Sequence, residues 1–495
     1  MTHSPRSPSG LATWRNWFGP ADPSMLGLFR VLFCGVMYVE FGSYLYLVWR
    51  LKASDFFLTY YGFEWVPYPG EYLGYALNAL GMVCTTLLLL GFRPRLAALV
   101  IAIVSSWMFL FDQCNYNNHY YLYSLIAWLM VAFPFSPFGA WATPRNQTLA
   151  QRLWAGGLPA WPVWLLKTLL VLVYVGGALA KLDPDWLAGF PMKLWLPGAG
   201  LTFHLPAIDR LYRTEGFALF IAWSGLVFDA VIGFMLLHKR LRYWALLPLA
   251  AFHLLNAYTW NIGTFPWAML ALTALFFPEA PRLAERFIQW VGRQLPQRLR
   301  KRVKLIGNAP SAPAVVALRK GPLVGSRPYR YRTTVFLVAL LLLQLLVPFR
   351  QALYPDHVTF TGEGHYFAWR MMLVDAQQMV SLQWKAEPAG NWQTVKYAEH
   401  LHPEQVSQSK RDPSFWIRYA QWWAENAAQK PVHAMRLKLQ RSVNGRPYQE
   451  VFPPDFNPLS AKVHWLWPAD YYLPYHAEVP MRRWYYPPLE EQQRN

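Results

Sequence analysis

The chain has 495 residues, 54% hydrophobic, 17% aromatic and only 15% charged, against about 25% charged in ordinary soluble proteins. Its 26 Trp, 28 Tyr and 31 Phe exclude a disordered coil, and three cysteines with no close pair (Cys34, Cys84, Cys114) exclude a disulfide scaffold, a CxxC redox site and a cysteine-rich zinc site. A net charge of +19 leaves nucleic acid or anionic lipid as partners, while a mean hydropathy of +0.12, low for a chain that is membrane throughout, predicts membrane and soluble parts together.

Residues 1–24 read as a polar cytoplasmic leader, too long for a cleaved signal peptide and followed by no small-residue cleavage site. Long apolar runs then recur as far as Val347 and not beyond, which predicts nine transmembrane helices: 25–49, 72–92, 96–111, 120–135, 161–181, 217–237, 243–260, 264–277 and 333–347. Eight fall in a membrane region spanning 25–277, and the ninth lies in 333–350 beyond a basic loop at 278–332. That loop carries thirteen Lys or Arg, with the cluster Arg298, Arg300, Lys301, Arg302 and Lys304, against only Glu279 and Glu285. Retention of basic loops on the cytoplasmic side places it inside, together with Arg6, Arg15, Arg93, Arg95, Arg145, Arg152, Lys239, Arg240 and Arg242. The loop thus reads as a topology determinant and anionic-lipid contact rather than a nucleic-acid site. The sequon Asn146-Gln147-Thr148 falls inside, where it is not glycosylated.

Nine spans put residues 351–495 outside, periplasmic in a bacterium or lumenal in a eukaryote. There Val380, Leu382 and Trp384, and then Met435, Leu437 and Leu439, alternate with polar residues, the period of half-buried strands. Met371 and Met372 are read as strand core. Asn444-Gly445 supplies the positive-φ pair of a tight hairpin leading to Tyr448–Phe452. One helix interrupts the strands, capped by Asp412, started by Pro413 and striped by Phe415, Tyr419 and Trp422. The expected fold is a polytopic α-helical membrane protein followed by a mostly antiparallel β extracytoplasmic domain.

Ionisable and polar groups inside a membrane cost a few kcal/mol each, about 2.5–3.5 for a charge at the centre, so their positions point to function. Here Asn117, Asn118 and His119 start the fourth helix, Lys181 and Asp183 end the fifth, and His253 and Asn256 share a face of the seventh, all near the outer surface. Each has an ordinary reading too: a snorkelling lysine, a capping histidine, an interhelical hydrogen-bonding pair. Glu40 and Asp229, near the middle of the first and sixth helices, read as structural pairs with each other, Arg30 or Lys167. The segment 186–206, with Trp186, Phe190, Trp195, Leu196 and Phe203, suits an interfacial lid or an ordinary amphipathic loop. No P-loop, GxGxxG or HExxH is present, and no spacing argues for a metal site from His119, His204 and His253.

The strings NNHYYLY (117–123), AKLDPDWLAGFP (180–191), FHLLNAYTWNIGTFPWAM (252–269) and EGHYFAWRMML (363–373), followed by RPYQ (446–449), resemble the vitamin K-dependent γ-glutamyl carboxylases in family order. The chain is similar to a short, bacterial-type member with the horizontally transferred transmembrane domain. The resemblance implies a membrane enzyme with an outward-facing site that oxidises reduced vitamin K or menaquinol with O2 to the epoxide. The strong base so formed removes a γ-proton from a protein glutamate, which adds CO2, and no metal takes part. It implies Lys181 as the base on the hydroquinone, His119 with its neighbour Asn118 in the carboxylation half, and His253 near the quinone. Asp183, Trp186 and Asn256 join them as candidate quinone- or substrate-binding residues.

A lysine base must be neutral near pH 7, and desolvation can lower its pKa from about 10.4 by up to about 3–5 units. A prenylated hydroquinone arrives from lipid and a Glu peptide from water, so the reaction belongs at the interface, where the polar residues gather. The tail has no cysteine and is shorter than that of the animal enzymes, so the resemblance carries fold and pocket further than substrate. The rivals are a menaquinol epoxidase without a Glu substrate and a non-enzymatic lipid-binding or transport protein.

Overall fold

The computed structural model describes residues 17–134, 158–200, 205–260, 262–294, 324–426, 428, 431–464 and 466–477. Arg6, Arg15, Arg145, Arg152, the 146–148 sequon, the 298–304 basic cluster, Phe203 and His204 lie outside the described residues.

All nine apolar runs are helical: Pro23–Leu51, Gly70–Leu90, Pro94–Leu110, Asn118–Ala132, Trp161–Ala180, Glu215–Leu237, Leu241–Trp260, Phe265–Thr273 and Arg327–Phe349. Among the described residues five helices are long and apolar enough to cross a membrane: Pro23–Leu51, Gly70–Leu90, Trp161–Ala180, Glu215–Leu237 and Arg327–Leu353. Pro94–Leu110 and Asn118–Ala132, of 17 and 15 residues, are shorter than the roughly 20 residues a 30 Å hydrocarbon core needs. Leu241–Trp260 has the length but carries Pro248, Arg242, His253 and Asn256.

The ends are set by local chemistry. The Asp22 carboxylate accepts from Ser24 N and Pro23 starts the first helix, Gly91 at φ 74 closes the second, and the Thr214 hydroxyl accepts from Phe217 N. Small residues bring helices together: a methyl group on Gly74 would lie 2.8 Å from Val48, and one on Gly81 2.5 Å from Phe41. The basic loop contains a helix the apolar-run reading passed over, Ala280–Gln294. Its Leu283, Phe287 and Trp290 repeat at helical spacing and are exposed, too few to register in a 19-residue average.

The C-terminal sheet is antiparallel, with strand order Gln393–Thr394, Ala376–Lys385, Ala434–Val443, Gln449–Glu450. Ala376 pairs with Val443 and Lys385 with Ala434, so Leu382, Trp384, Leu437 and Leu439 share one core. The expectation of a mostly β domain is corrected: two of the four strands are two residues long, and much of 351–477 is short helix and irregular chain. Prolines 453, 454, 458, 468 and 474 remove the ladder donors a larger sheet would need. Met371 and Met372 are also not in a strand; Met372 has φ 54, outside the extended region. The turn falls where expected, with Asn444 at φ 51 and Gly445 at φ 80, and the Asp412 carboxylate accepts from both N and Oγ of Ser414 at the start of helix Ser414–Asn426.

This part is bolted to the loops at one end of the helices. Phe56 and Cys114 enter its core beside Phe415 and Tyr419. The buried Asp112 carboxylate accepts from Leu58 N, Cys114 N and Gln405 Nε2. Arg446 grips Asp185 through two 2.7 Å bonds, and Asn444 Nδ2 donates to the same carboxylate at 2.8 Å.

Candidate active site

A cavity of about 720 Å3 lies where the two parts meet, within the range of sites for drug-sized ligands. Asn118, His119, Lys181, Trp186, His253 and Asn256 all line it, so six of the seven residues singled out from sequence converge there. Val173, Ile221, Phe252, Trp260, Phe265 and Met269 give it apolar walls, and Arg370 to Gln377 with Lys410, Arg411 and Arg441 close the extramembrane end.

Lys181 follows the last turn of Trp161–Ala180 and is folded inward, 6% exposed, rather than snorkelling. Its Nζ donates to Asp229 Oδ2 at 2.7 Å and stands 5.1 Å from the centre of the Trp186 ring. Asp229 therefore pairs with Lys181, not with Glu40, Arg30 or Lys167. Glycine permits this approach, since a methyl group on Gly177 would sit 2.8 Å from Asp229 Oδ2. Trp186 is buried and held by Nε1 donating to Ala222 O. Glu40 instead accepts from the Thr264 hydroxyl at 2.5 Å, which also meets Tyr123 OH.

His119 packs edge-on against Tyr120, and no described group hydrogen-bonds its ring nitrogens. Its neighbour Asn118 is clamped: Nδ2 donates to Arg370 O at 2.8 Å and Oδ1 accepts from Tyr116 OH, which itself accepts from Phe367 N. Asn118 thereby fixes the start of the His119 helix against the chain across the cavity. His253 Nε2 and Tyr174 OH are 2.9 Å apart, so of the pair expected to hydrogen-bond between helices His253 does so, to Tyr174 of Trp161–Ala180. Asn256 Nδ2 donates to Phe252 O one turn back.

Asp183 is the residue the structure does not bring to the cavity. Its Oδ1 caps helix Pro184–Leu187 through Asp185 N, and its Oδ2 lies 3.3 Å from His357 Nε2. Burial acts to raise its pKa, but the His357 hydrogen bond and charge, the Asp185 N–H and Arg370 outweigh it and hold the carboxylate below its usual range. Sequence reading missed Asp229 and Tyr174 as members of the site, and the arginines at its outer end. Of the 186–206 segment, Trp186, Met192 and Trp195 form cavity wall.

The arrangement offers a buried amine–carboxylate ion pair, an imidazole facing the cavity, and apolar and aromatic walls. Among the described residues no three His, Cys, Asp or Glu side chains are grouped to hold a metal ion. No solved structure matches the chain. Residues 18–280 match the HTTM domain, and residues 329–478 match the vitamin K-dependent gamma-carboxylase lumenal domain. The first covers the cavity's membrane half and the second its extramembrane end, so this chain is an integral membrane protein of the vitamin K-dependent γ-carboxylase family.

Proposed function

We propose that the protein couples oxygenation of a reduced vitamin K or menaquinol to carboxylation of a glutamate side chain presented from outside the membrane. The observation that carries this reading is the buried Lys181–Asp229 pair in a cavity that also holds His119. The quinol ring lies among the apolar and aromatic walls. Lys181, as free amine once its proton has moved to Asp229, takes the proton of a quinol hydroxyl. O2 adds to the quinol anion, and the oxygenated species, on its way to epoxide and water, removes the γ-proton of glutamate; the carbanion adds CO2. His119, held in place through Asn118, serves the carboxylation half, and His253 with Tyr174 borders the ring. The N-terminus and the 278–332 loop lie on the cytoplasmic side, and the C-terminal part lies outside.

The test uses the full chain in nanodiscs with reduced menaquinone or vitamin K, O2, labelled bicarbonate and a Glu-containing peptide. Both epoxide and labelled peptide are expected, and Lys181→Ala removes both. Epoxide without fixed label selects an epoxidase. Neither product, or unchanged epoxide formation in Lys181→Ala, refutes the mechanism.

A further inference from the structure

The extramembrane end of the cavity carries three arginines with which no described carboxylate forms an ion pair. Arg370 precedes strand Ala376–Lys385, Arg411 ends the turn Ser409–Arg411, and Arg441 lies in strand Ala434–Val443; all three line the cavity. Arg441 is 2% and Arg370 7% exposed. Arg441 gives Nη2 to Thr359 O at 3.0 Å, leaving Nε and Nη1 buried with no acceptor. Arg370 gives Nη1 to Gln351 Oε1 at 2.9 Å and leaves Nη2 in the same state. Arg411 donates to Tyr116 O.

No described carboxylate stands within ion-pair distance of these three arginines. The acids nearby take their hydrogen bonds elsewhere, and Asp183 and Asp412 reach Arg370 and Arg441 only through longer-range charge. Asp183 is held by His357 and Asp185 N, Asp412 by Ser414, Asp375 by Trp195 Nε1, and Glu363 by Ala469 N. His365, on the cavity wall between them, brings no counter-charge: burial, then Arg411, Arg370, Arg441 and Arg350, push its pKa well below the ordinary value. A buried guanidinium without a carboxylate partner is costly. Buried donors left open at the wall of a cavity are completed by water or by a ligand's acceptors, and a carboxylate is the anion whose planar oxygens match guanidinium N–H groups.

We propose that Arg370 and Arg441, with Arg411 beside them, form a carboxylate subsite that seats the side chain of a glutamate from a peptide substrate. The identity of the carboxylate rests on the carboxylase reading above; the existence of the subsite does not. The apolar end beside Lys181 then holds the quinol and the arginine end holds the acid, so one cavity serves a ligand from each phase.

The test is a binding experiment on the full chain in nanodiscs without quinone, which separates it from turnover. A terminally blocked pentapeptide whose only acid is a central Glu is titrated beside its Gln isostere and bicarbonate. The Glu peptide is expected to bind at least about tenfold more tightly than the Gln peptide, and Arg441→Met or Arg370→Met to weaken it by about 10- to 100-fold, the value of a charge-assisted bond. Arg441→Lys, which keeps the charge and loses the guanidinium plane, falls between. Arg436→Met, on the same strand but with its guanidinium over Trp392, binds as the unaltered protein does. Removing a buried charge that has no ion-pair partner leaves the thermal midpoint of ligand-free Arg441→Met equal or higher, so lost binding is not lost folding. Equal affinity for Glu and Gln peptides, an effect under twofold in both Met variants, or saturation by bicarbonate without Glu preference overturns the proposal. Glu-selective binding in a protein that fixes no label refutes the carboxylase reading and leaves the subsite; fixed label without arginine dependence does the reverse.

Discussion

The Lys181–Asp229 pair yields a prediction that separates its structural from its chemical role. The side chains are 7% and 5% exposed and 2.7 Å apart, so removing either partner strands a charge in low dielectric. Such losses run to about 3–5 kcal/mol, whereas replacing both partners by apolar residues of similar volume is neutral or stabilising. Lys181→Met and Asp229→Leu are each expected to lose about 3–5 kcal/mol, and the double variant to return to within about 1 kcal/mol of the original, a coupling of at least about 5 kcal/mol. Epoxide formation follows the opposite logic. It is absent from Lys181→Met and from the double variant, and reduced at least about 100-fold in Asp229→Leu, because about 2.7 kcal/mol of barrier is enough for that factor. Equilibrium unfolding in mixed micelles gives the first set of numbers, and chromatography of the quinone products the second. Additive single losses, with coupling under about 1 kcal/mol, or epoxide from the stable double variant, would refute the reasoning.

The bidentate Arg446–Asp185 contact, with side chains 8% and 13% exposed, joins the hairpin turn to the helix carrying Trp186. Arg446→Ala is expected to cost about 3–5 kcal/mol and to raise amide exchange across 183–187 and 443–447 together; exchange confined to the hairpin would show that the contact does not couple the two parts. Glu363 predicts a pH effect outside the membrane. Burial pushes its carboxyl up to about 7 against the Ala469 N–H, with Asp412 and Asp356 adding to the rise. Its folded pKa thus lies above the ordinary 4.5, so the stability it contributes is full below that value and lost as pH rises through about 7. Glu363→Gln should flatten the fall in stability between pH 5 and 8 by about 1–2 kcal/mol after discounting for partial exposure; an unchanged slope in thermal unfolding counts against it.

Much of the molecule is legible in the residues because it rests on local rules. Apolar run length marks the nine helices, the Asn444-Gly445 pair marks the hairpin, and Asp412-Pro413 marks the start of the C-terminal helix. The polar residues at helix ends could be brought to one depth because depth follows from position along a span. Rotation about each helix axis is different. Asp229 and Lys181 are 48 positions apart, and only the packing of Glu215–Leu237 on Trp161–Ala180, with glycine at 177, decides that they meet. Met371 and Met372 misled because an apolar pair beside alternating residues looks like strand, while the backbone there turns through positive φ. The arginine group is invisible to any window, since its members come from separate segments near 370, 411 and 441.

That turning backbone has a consequence for how the two family domains relate. Phe367, Trp369 and Met372 hold φ values of 62, 53 and 54, a left-handed conformation that disfavours side chains by roughly 1–2 kcal/mol each. The segment is held there from the membrane side, by Tyr116 OH on Phe367 N and by Asn118 on Arg370 O. Without the helices and their loops the C-terminal part would lose these two holds on the stretch, together with Phe56 and Cys114 from its core, and with them the surface that closes the cavity. The pocket therefore does not respect the boundary between the two matched domains, and recombining halves means exchanging matched residues around 116–118 and 367–370 rather than whole modules.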